Sequence, residues 1–244
     1  MELKYLQIEV DTHTHTVLSG HAWSTLRENC AAGAAIGLKK LCLTEHGPAM
    51  EGAPPWFAPC SHKMLPESLY HVGIVPGLEF NIMDFDGRLD IDQPSALAGI
   101  KFGIASMHDV TMPLGTKEQH TKAYIKALEN PHIDILGHPG YAYFPNEPEE
   151  IVLAAKRLNK LIEINNNSFK SRAASKENCV KFAKLCKKHQ VRVCVSSDSH
   201  FDTMIGRVPI ALEMLDELDF PSDLILNLKC RDFDDYLEER QKRF

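Results

Sequence analysis

The sequence predicts an α/β protein with about seven parallel strands, arranged as a closed barrel or an open sheet. Two observations predict this class. Short apolar runs alternate with longer segments of helical period along the 244 residues, which is the signature of successive β–α units on a parallel sheet. The length exceeds that of a common domain but suits a single barrel. No linker, repeat or low-complexity tract interrupts the pattern, so one domain over residues 1–244 is expected.

In chain order, Leu6 to Val10 reads as a first strand and Thr25 to Ile36 as a helix. Leu41 to Leu43 is a second strand. Gly47 to Pro59 is a loop rich in Pro and Gly, and Pro66 to Tyr70 reads as a short helix. Gly73 to Phe80 is a third strand. Asn81 to Asp92 alternates around Asp86-Gly87, a dipeptide suited to a tight hairpin turn. Phe102 to Ser106, Ile133 to Leu136, Leu161 to Ile164 and Val191 to Val195 are the remaining strands. Helices follow them at Lys117 to Glu129, Glu147 to Asn159, Lys176 to His189 and Pro209 to Leu218, with a last helix from Asp232 to Arg240.

Composition narrows the function classes. Hydrophobic residues make up 44% and charged residues 25%, so a core of ordinary size is available. The net charge of −6 and the absence of a basic block disfavour nucleic-acid backbones as partners. Met1 to Val10 lacks the layout of a signal peptide, and no apolar run reaches membrane-spanning length, so a cytoplasmic location is expected. The seven cysteines form no C-x-x-C pair; neither a disulfide framework nor a zinc finger is indicated. The anomaly is histidine, with twelve.

Seven of those histidines fall near strand ends, in company with carboxylates. The first strand runs into Asp11-Thr12-His13-Thr14-His15, the second into Thr44-Glu45-His46, and the third into Glu79. His108 and His138-Pro139-Gly140 follow the fourth and fifth, and Asp198-Ser199-His200 follows the seventh. In an α/β barrel the C-terminal strand ends converge on one face. Side chains two apart on a strand point the same way, so His13 with His15, and Asp198 with His200, form two gripping pairs. If the barrel closes, these pairs face each other, and His21 folds back over the rim. Imidazole with carboxylate suits zinc, manganese or iron. Nine candidate ligands exceed the roughly three or four that one ion takes from a protein, so two or three ions are implied, with Glu79 able to bridge two. Such a cluster attracts a phosphate ester and lowers the pKa of bound water. His62, His71, His120, His132 and His189 lie outside the pattern and read as structural or surface residues.

These motifs, together with Gly77-Leu-Glu-Phe-Asn81, Ser106-Met-His108 and Gly137-His-Pro-Gly140, resemble the PHP (polymerase and histidinol phosphatase) family. His21-Ala-Trp-Ser-Thr25 and Glu163-Ile-Asn-Asn-Asn-Ser-Phe169 resemble its YcdX-like phosphatase branch. The resemblance implies a distorted (β/α)7 barrel, TIM-like with seven parallel strands, and a trinuclear metal site, usually of zinc. It implies that His13, His15, Glu79 and Asp198 hold one ion, that Glu79, His108 and His138 hold a second, and that His21, His46 and His200 hold a third. Glu45 stands where the family often has Asp; it and Asp11 are expected behind the ligands, Asp11 orienting a ligand histidine.

The expected activity is hydrolysis of a small phosphate monoester by a metal-bridging hydroxide, with Glu79, Asp198 and His200 shaping the site. Arg172 and Arg207 follow the sixth and seventh strands and are candidates for binding the phosphate. Alternatives are a histidinol-phosphate phosphatase, a phosphodiesterase or nuclease, an amidohydrolase, and a non-catalytic metal or phosphate sensor. A homo-oligomer is an expectation from the resemblance alone.

Overall fold

A computed structural model of the chain describes residues 2–3, 6–172 and 175–244. Seven parallel strands form a nearly closed barrel in the order β1 (Val10–Thr14), β2 (Lys40–Leu43), β4 (Val72–Asn81), β5 (Phe102–Ser106), β6 (Ile135–Leu136), β7 (Leu161–Asn165) and β8 (Val193–Ser196), with β3 (Ser68–Leu69) antiparallel to β4. Around it lie α1 (Leu26–Ala35), α2 (Pro94–Leu97), α3 (Lys117–Leu128), α4 (Pro148–Leu158), α5 (Ser168–Ser171), α6 (Ser175–His189), α7 (Pro209–Glu217) and α8 (Cys230–Gln241). The longer helices start where the chemistry of the chain says they should. Thr25 and Thr116 cap α1 and α3, each with a reciprocal bond from the side chain three residues on, Glu28 and Gln119. Proline opens α4 and α7. Asn159 ends α4 in the left-handed conformation.

Closure is completed at two heights. Near the C-terminal strand ends, Thr14 bridges Ser199 in parallel, and His15 N–H donates to Ser199 C=O at 2.9 Å. Near the opposite end the fully buried Asn227 fills the seam between β1 and β8. Its side chain accepts from Val195 N–H at 2.9 Å and donates to Val10 C=O at 2.7 Å and Val195 C=O at 2.6 Å. One apolar core separates the barrel from its helices. A second fills the lower barrel interior with Val10, Cys42, Val75, Ile104, Ile135, Leu161 and Cys194, capped by Phe233 and Tyr236 of α8. The packed interior thus leaves the C-terminal strand ends for polar chemistry.

Two expectations are corrected. The first strand is Val10–Thr14 rather than Leu6 to Val10. Its polar residues are fully buried, and two of them find partners across the barrel: Thr14 donates its hydroxyl to Cys42 C=O, and Asp11 accepts the Ser197 hydroxyl. The segment from Pro66 to Tyr70 is a hairpin arm, not a helix. Tyr70 and His71 both have positive φ, 52° and 66°, which turns β3 tightly back onto β4 as a two-residue loop does. The hairpin around Asp86-Gly87 is present, with Ile82 bridging Leu89 and Gly87 at φ 72°. The cysteines are free, five of them buried. Among the described residues no helix is long and apolar enough to cross a membrane.

Candidate metal centre

The C-terminal strand ends gather all nine predicted ligands. His13 comes from β1, with His15 and His21 in the loop after it. His46 follows β2, Glu79 lies in β4, His108 follows β5, His138 follows β6, and Asp198 and His200 follow β8. Glu79 and His13 are fully buried, Asp198 is 1% exposed and His108 9%. His21 is exposed and His200 half-buried, so the cluster opens on the side of these two.

Glu79 is at the centre. Its Oε2 lies 3.4 Å from His13 Nε2 and 3.5 Å from His15 Nε2, while its Oε1 lies 3.3 Å from His108 Nε2 and 3.1 Å from His138 Nε2. Asp198 Oδ1 is 3.6 Å from His13 Nε2 and 3.3 Å from His15 Nε2. His21 Nε2 stands 3.3 Å from His46 Nε2 and 3.1 Å from His200 Nε2. Ligands at about 2.0–2.1 Å from a tetrahedral ion lie about 3.3–3.4 Å from one another, close to these separations. The buried His13 Nε2, His15 Nε2, His108 Nε2 and Glu79 Oε2 have no hydrogen-bond partner. Buried polar atoms rarely go unpaired, and inward-turned imidazole nitrogens beside carboxylate oxygens are what a cation requires. The donor set therefore fits divalent metal. His46 faces two ways: Nε2 joins the histidine trio and Nδ1 lies 2.7 Å from Glu79 Oε2.

Electrostatics agree. Burial disfavours ionisation of Glu79 and Asp198, yet the facing histidines, and Arg172 for Asp198, hold both well below the usual carboxylate range. Burial, with neighbouring histidines, lowers His15; burial and Arg172 bring His138 down to about 4. His13 goes the other way, because Glu79, Glu163 and Asp198 together outweigh its burial. Two candidate ligands also sit in the left-handed region disfavoured for side chains, His138 at φ 27° and Asp198 at φ 50°. Such strain persists only where surrounding bonds hold it, and it gathers at functional sites.

The residues behind the ligands are partly those expected. Glu45 accepts the hydroxyl of Ser19 at 2.5 Å, and Ser19 Oγ lies 2.9 Å from His15 Nδ1. This chain puts the His15 proton on Nδ1 and leaves Nε2 as a lone pair. Asp11 differs from expectation. It accepts Ser197 N–H at 3.1 Å and Gly206 N–H at 2.8 Å, bracing the backbone that leads to Asp198 instead of orienting a histidine ring. The ring partners are Glu163 for His13 at 2.7 Å and Asn81 for His108 at 2.7 Å. Sequence reasoning quoted both inside motifs but gave neither a role; their positions at inward-facing strand ends are the signal that was available.

Arg172 reaches the cluster: both its terminal nitrogens lie 3.1 Å from Asp198 Oδ2, and its guanidinium stands 5.8 Å from the Tyr141 ring centroid. Arg207 does not. It is exposed in a surface groove with Ala32, Ile36 and Asp202, at the end of α1. The other histidines lie away from the cluster: His62 pairs with Gly99 C=O, His120 with Pro145 C=O and His189 with Glu149, His132 packs against the Phe244 ring, and His71 is exposed in the β3–β4 turn.

A family profile described as "PHP domain" matches residues 11–171, from the start of β1 to the end of α5. The chain belongs to the PHP family. Beyond that profile, proteins named as phosphatases align over almost the whole chain. A protein of Acetivibrio thermocellus named "Probable phosphatase" is 42% identical over 238 residues, covering 98% of each chain. One of Clostridium botulinum with the same name is 46% identical over 240 residues, covering 98% of this chain and 97% of its own. Among solved structures, a histidinol phosphate phosphatase of Lactococcus lactis, complexed with zinc, L-histidinol and phosphate, superposes with a TM-score of 0.57 at 19% identity, covering 86% of this chain and 91% of that one. At that identity the likeness supports the shared barrel fold.

Proposed function

We propose that this PHP protein is a metal-dependent phosphatase that hydrolyses a small phosphate monoester at a cluster of three divalent ions, zinc foremost. The observation that carries the reading is the shared Glu79, whose two oxygens face separate sets of inward-turned histidine nitrogens while a third set, His21, His46 and His200, converges beside them. The curated relatives named as phosphatases, alignable from end to end, favour phosphate esters as substrate. His13, His15, Glu79 and Asp198 would hold one ion, Glu79, His108 and His138 a second, and the histidine trio the third. Ions held there supply Lewis-acid polarisation of the phosphoryl group and activation of the attacking water.

The chain's own residues set the rest. Packed strand ends keep water from the inner ligands, and the exposed side at His21 and His200 is where a substrate enters. Arg172, held against Asp198, is placed to add a fixed positive charge beside a bound phosphate. The whole chain acts as one domain, because Asn227 and α8, beyond the matched segment, complete the seam and floor of the barrel. The test is an assay of metal-loaded and chelator-treated protein with a generic aryl phosphate. Metal-dependent release of phosphate is expected, and its absence under both conditions sinks the phosphatase reading.

A further inference from the structure

Every parallel strand except β7 delivers a candidate ligand at or just beyond its C-terminal end. β7 carries instead the motif that begins at Glu163, and that carboxylate is 3% exposed. Its oxygens accept four hydrogen bonds from four different places in the chain. Oε1 takes His13 Nδ1–H at 2.7 Å and the Ser196 hydroxyl at 2.5 Å. Oε2 takes His138 backbone N–H at 2.5 Å and Asn165 Nδ2–H at 3.2 Å. One carboxylate thus holds the ring of a ligand from β1 and the strained backbone of a ligand after β6.

From this geometry we infer that Glu163 is a positioning residue that fixes His13 in the Nδ1–H tautomer, with Nε2 free to ligate, and ties His13 to the separate ligand group of His138. The inference rests on the metal-centre reading above. All four partners offer a proton, so only an acceptor at both oxygens satisfies them. Glutamine cannot do so. Its amide oxygen must serve the His138 N–H, which has no way to accept, and its NH2 then faces His13 and Ser196. Those two adapt by turning a hydroxyl and by moving the imidazole proton to Nε2, the atom that should bind metal. Carboxylate partners of this kind tune ligand basicity, and their loss typically weakens metal binding by about 10–100-fold.

The experiment uses the full chain, with zinc competed against a chromophoric chelator and histidine tautomers read by long-range proton–nitrogen NMR correlation. The tautomer is read above the pH at which the His13 ring gives up its second proton, since Glu79, Glu163 and Asp198 raise its pKa; there, in the wild type, the remaining proton sits on Nδ1. Glu163→Gln is expected to move it to Nε2 in the metal-free protein and to weaken one zinc equivalent by about 10–100-fold. Glu163→Ala, which also releases the His138 N–H, is expected to weaken two; should it fail to fold, the Gln variant decides alone. Zinc binding by E163Q within about twofold of wild type, with His13 still protonated on Nδ1, overturns the inference. Wild-type protein that takes up no zinc overturns the metal-centre reading instead, and the His13 tautomer then still decides the role of Glu163.

Discussion

Replacing Asn227 with alanine tests how the barrel is closed. Asn227 makes three side-chain bonds across the seam, to Val195 N–H, Val195 C=O and Val10 C=O, at 2.6–2.9 Å and fully buried. A net hydrogen bond is worth about 0.5–1.5 kcal/mol, and a buried group left unpaired costs about 1–3 kcal/mol. Alanine removes all three bonds and orphans Val195 N–H, so the expected loss is roughly 3–5 kcal/mol. Asn227→Asp is the sharper control. It keeps an acceptor for Val195 N–H but turns a second oxygen toward two carbonyls, so its loss should match or exceed that of alanine at neutral pH. The assay is urea unfolding of metal-free protein followed by circular dichroism. A loss below about 1 kcal/mol for the alanine variant would refute the argument, since it would mean that water or a relaxed seam replaces the bonds.

Three more outcomes follow from the geometry. Ser19→Ala breaks the relay from Glu45 to His15 Nδ1 and should weaken zinc binding by about 10–100-fold in a chelator competition; because the buried hydroxyl also accepts His46 N–H, the metal-free protein should lose about 1–3 kcal/mol in urea unfolding. Arg172→Ala should raise KM for an aryl phosphate and lower kcat, because Asp198 loses its guanidinium; Arg207→Ala, on the exposed groove, should change neither by more than about twofold. Lys160 donates to Asn130 and Ile133 carbonyls, and burial, with Arg243 nearby, lowers its pKa from 10.5 to about 8. Between those values the unfolded chain holds the proton that the folded chain has released, so this group makes stability rise with pH by up to about 3 kcal/mol. Lys160→Met should therefore lose its relative advantage over wild type between about pH 8 and pH 10.5 in paired urea titrations; a constant difference would contradict the assignment.

Eight of the nine candidate ligands were legible because each is a histidine or carboxylate at or just beyond the end of an apolar run, where barrel geometry brings such ends together; His21, on the loop after the first strand, was read from its place beside His15 and from the family resemblance. What stands behind them was not. Glu163 meets His13 across 150 residues of sequence, and Asn81 meets His108 across 27; no local pattern announces those pairs. Asp11 illustrates the same limit: the family resemblance suggested that it orients a ligand histidine, whereas its bonds reach 186 residues away to Ser197. The first strand was placed too early because buried polar side chains look like loop until their partners are known. The β3 hairpin was missed because its turn uses Tyr70 and His71 at positive φ, without the glycine or asparagine that usually marks such a turn.

The central claim is a cluster of divalent ions shared through Glu79. Elemental analysis of the purified protein, with protein quantified on the same sample, tests it most directly. Close to three equivalents of divalent metal per chain are expected, falling when Glu79→Gln removes the shared carboxylate. Protein that is folded and carries no divalent metal after dialysis against zinc, manganese and iron in turn would contradict it.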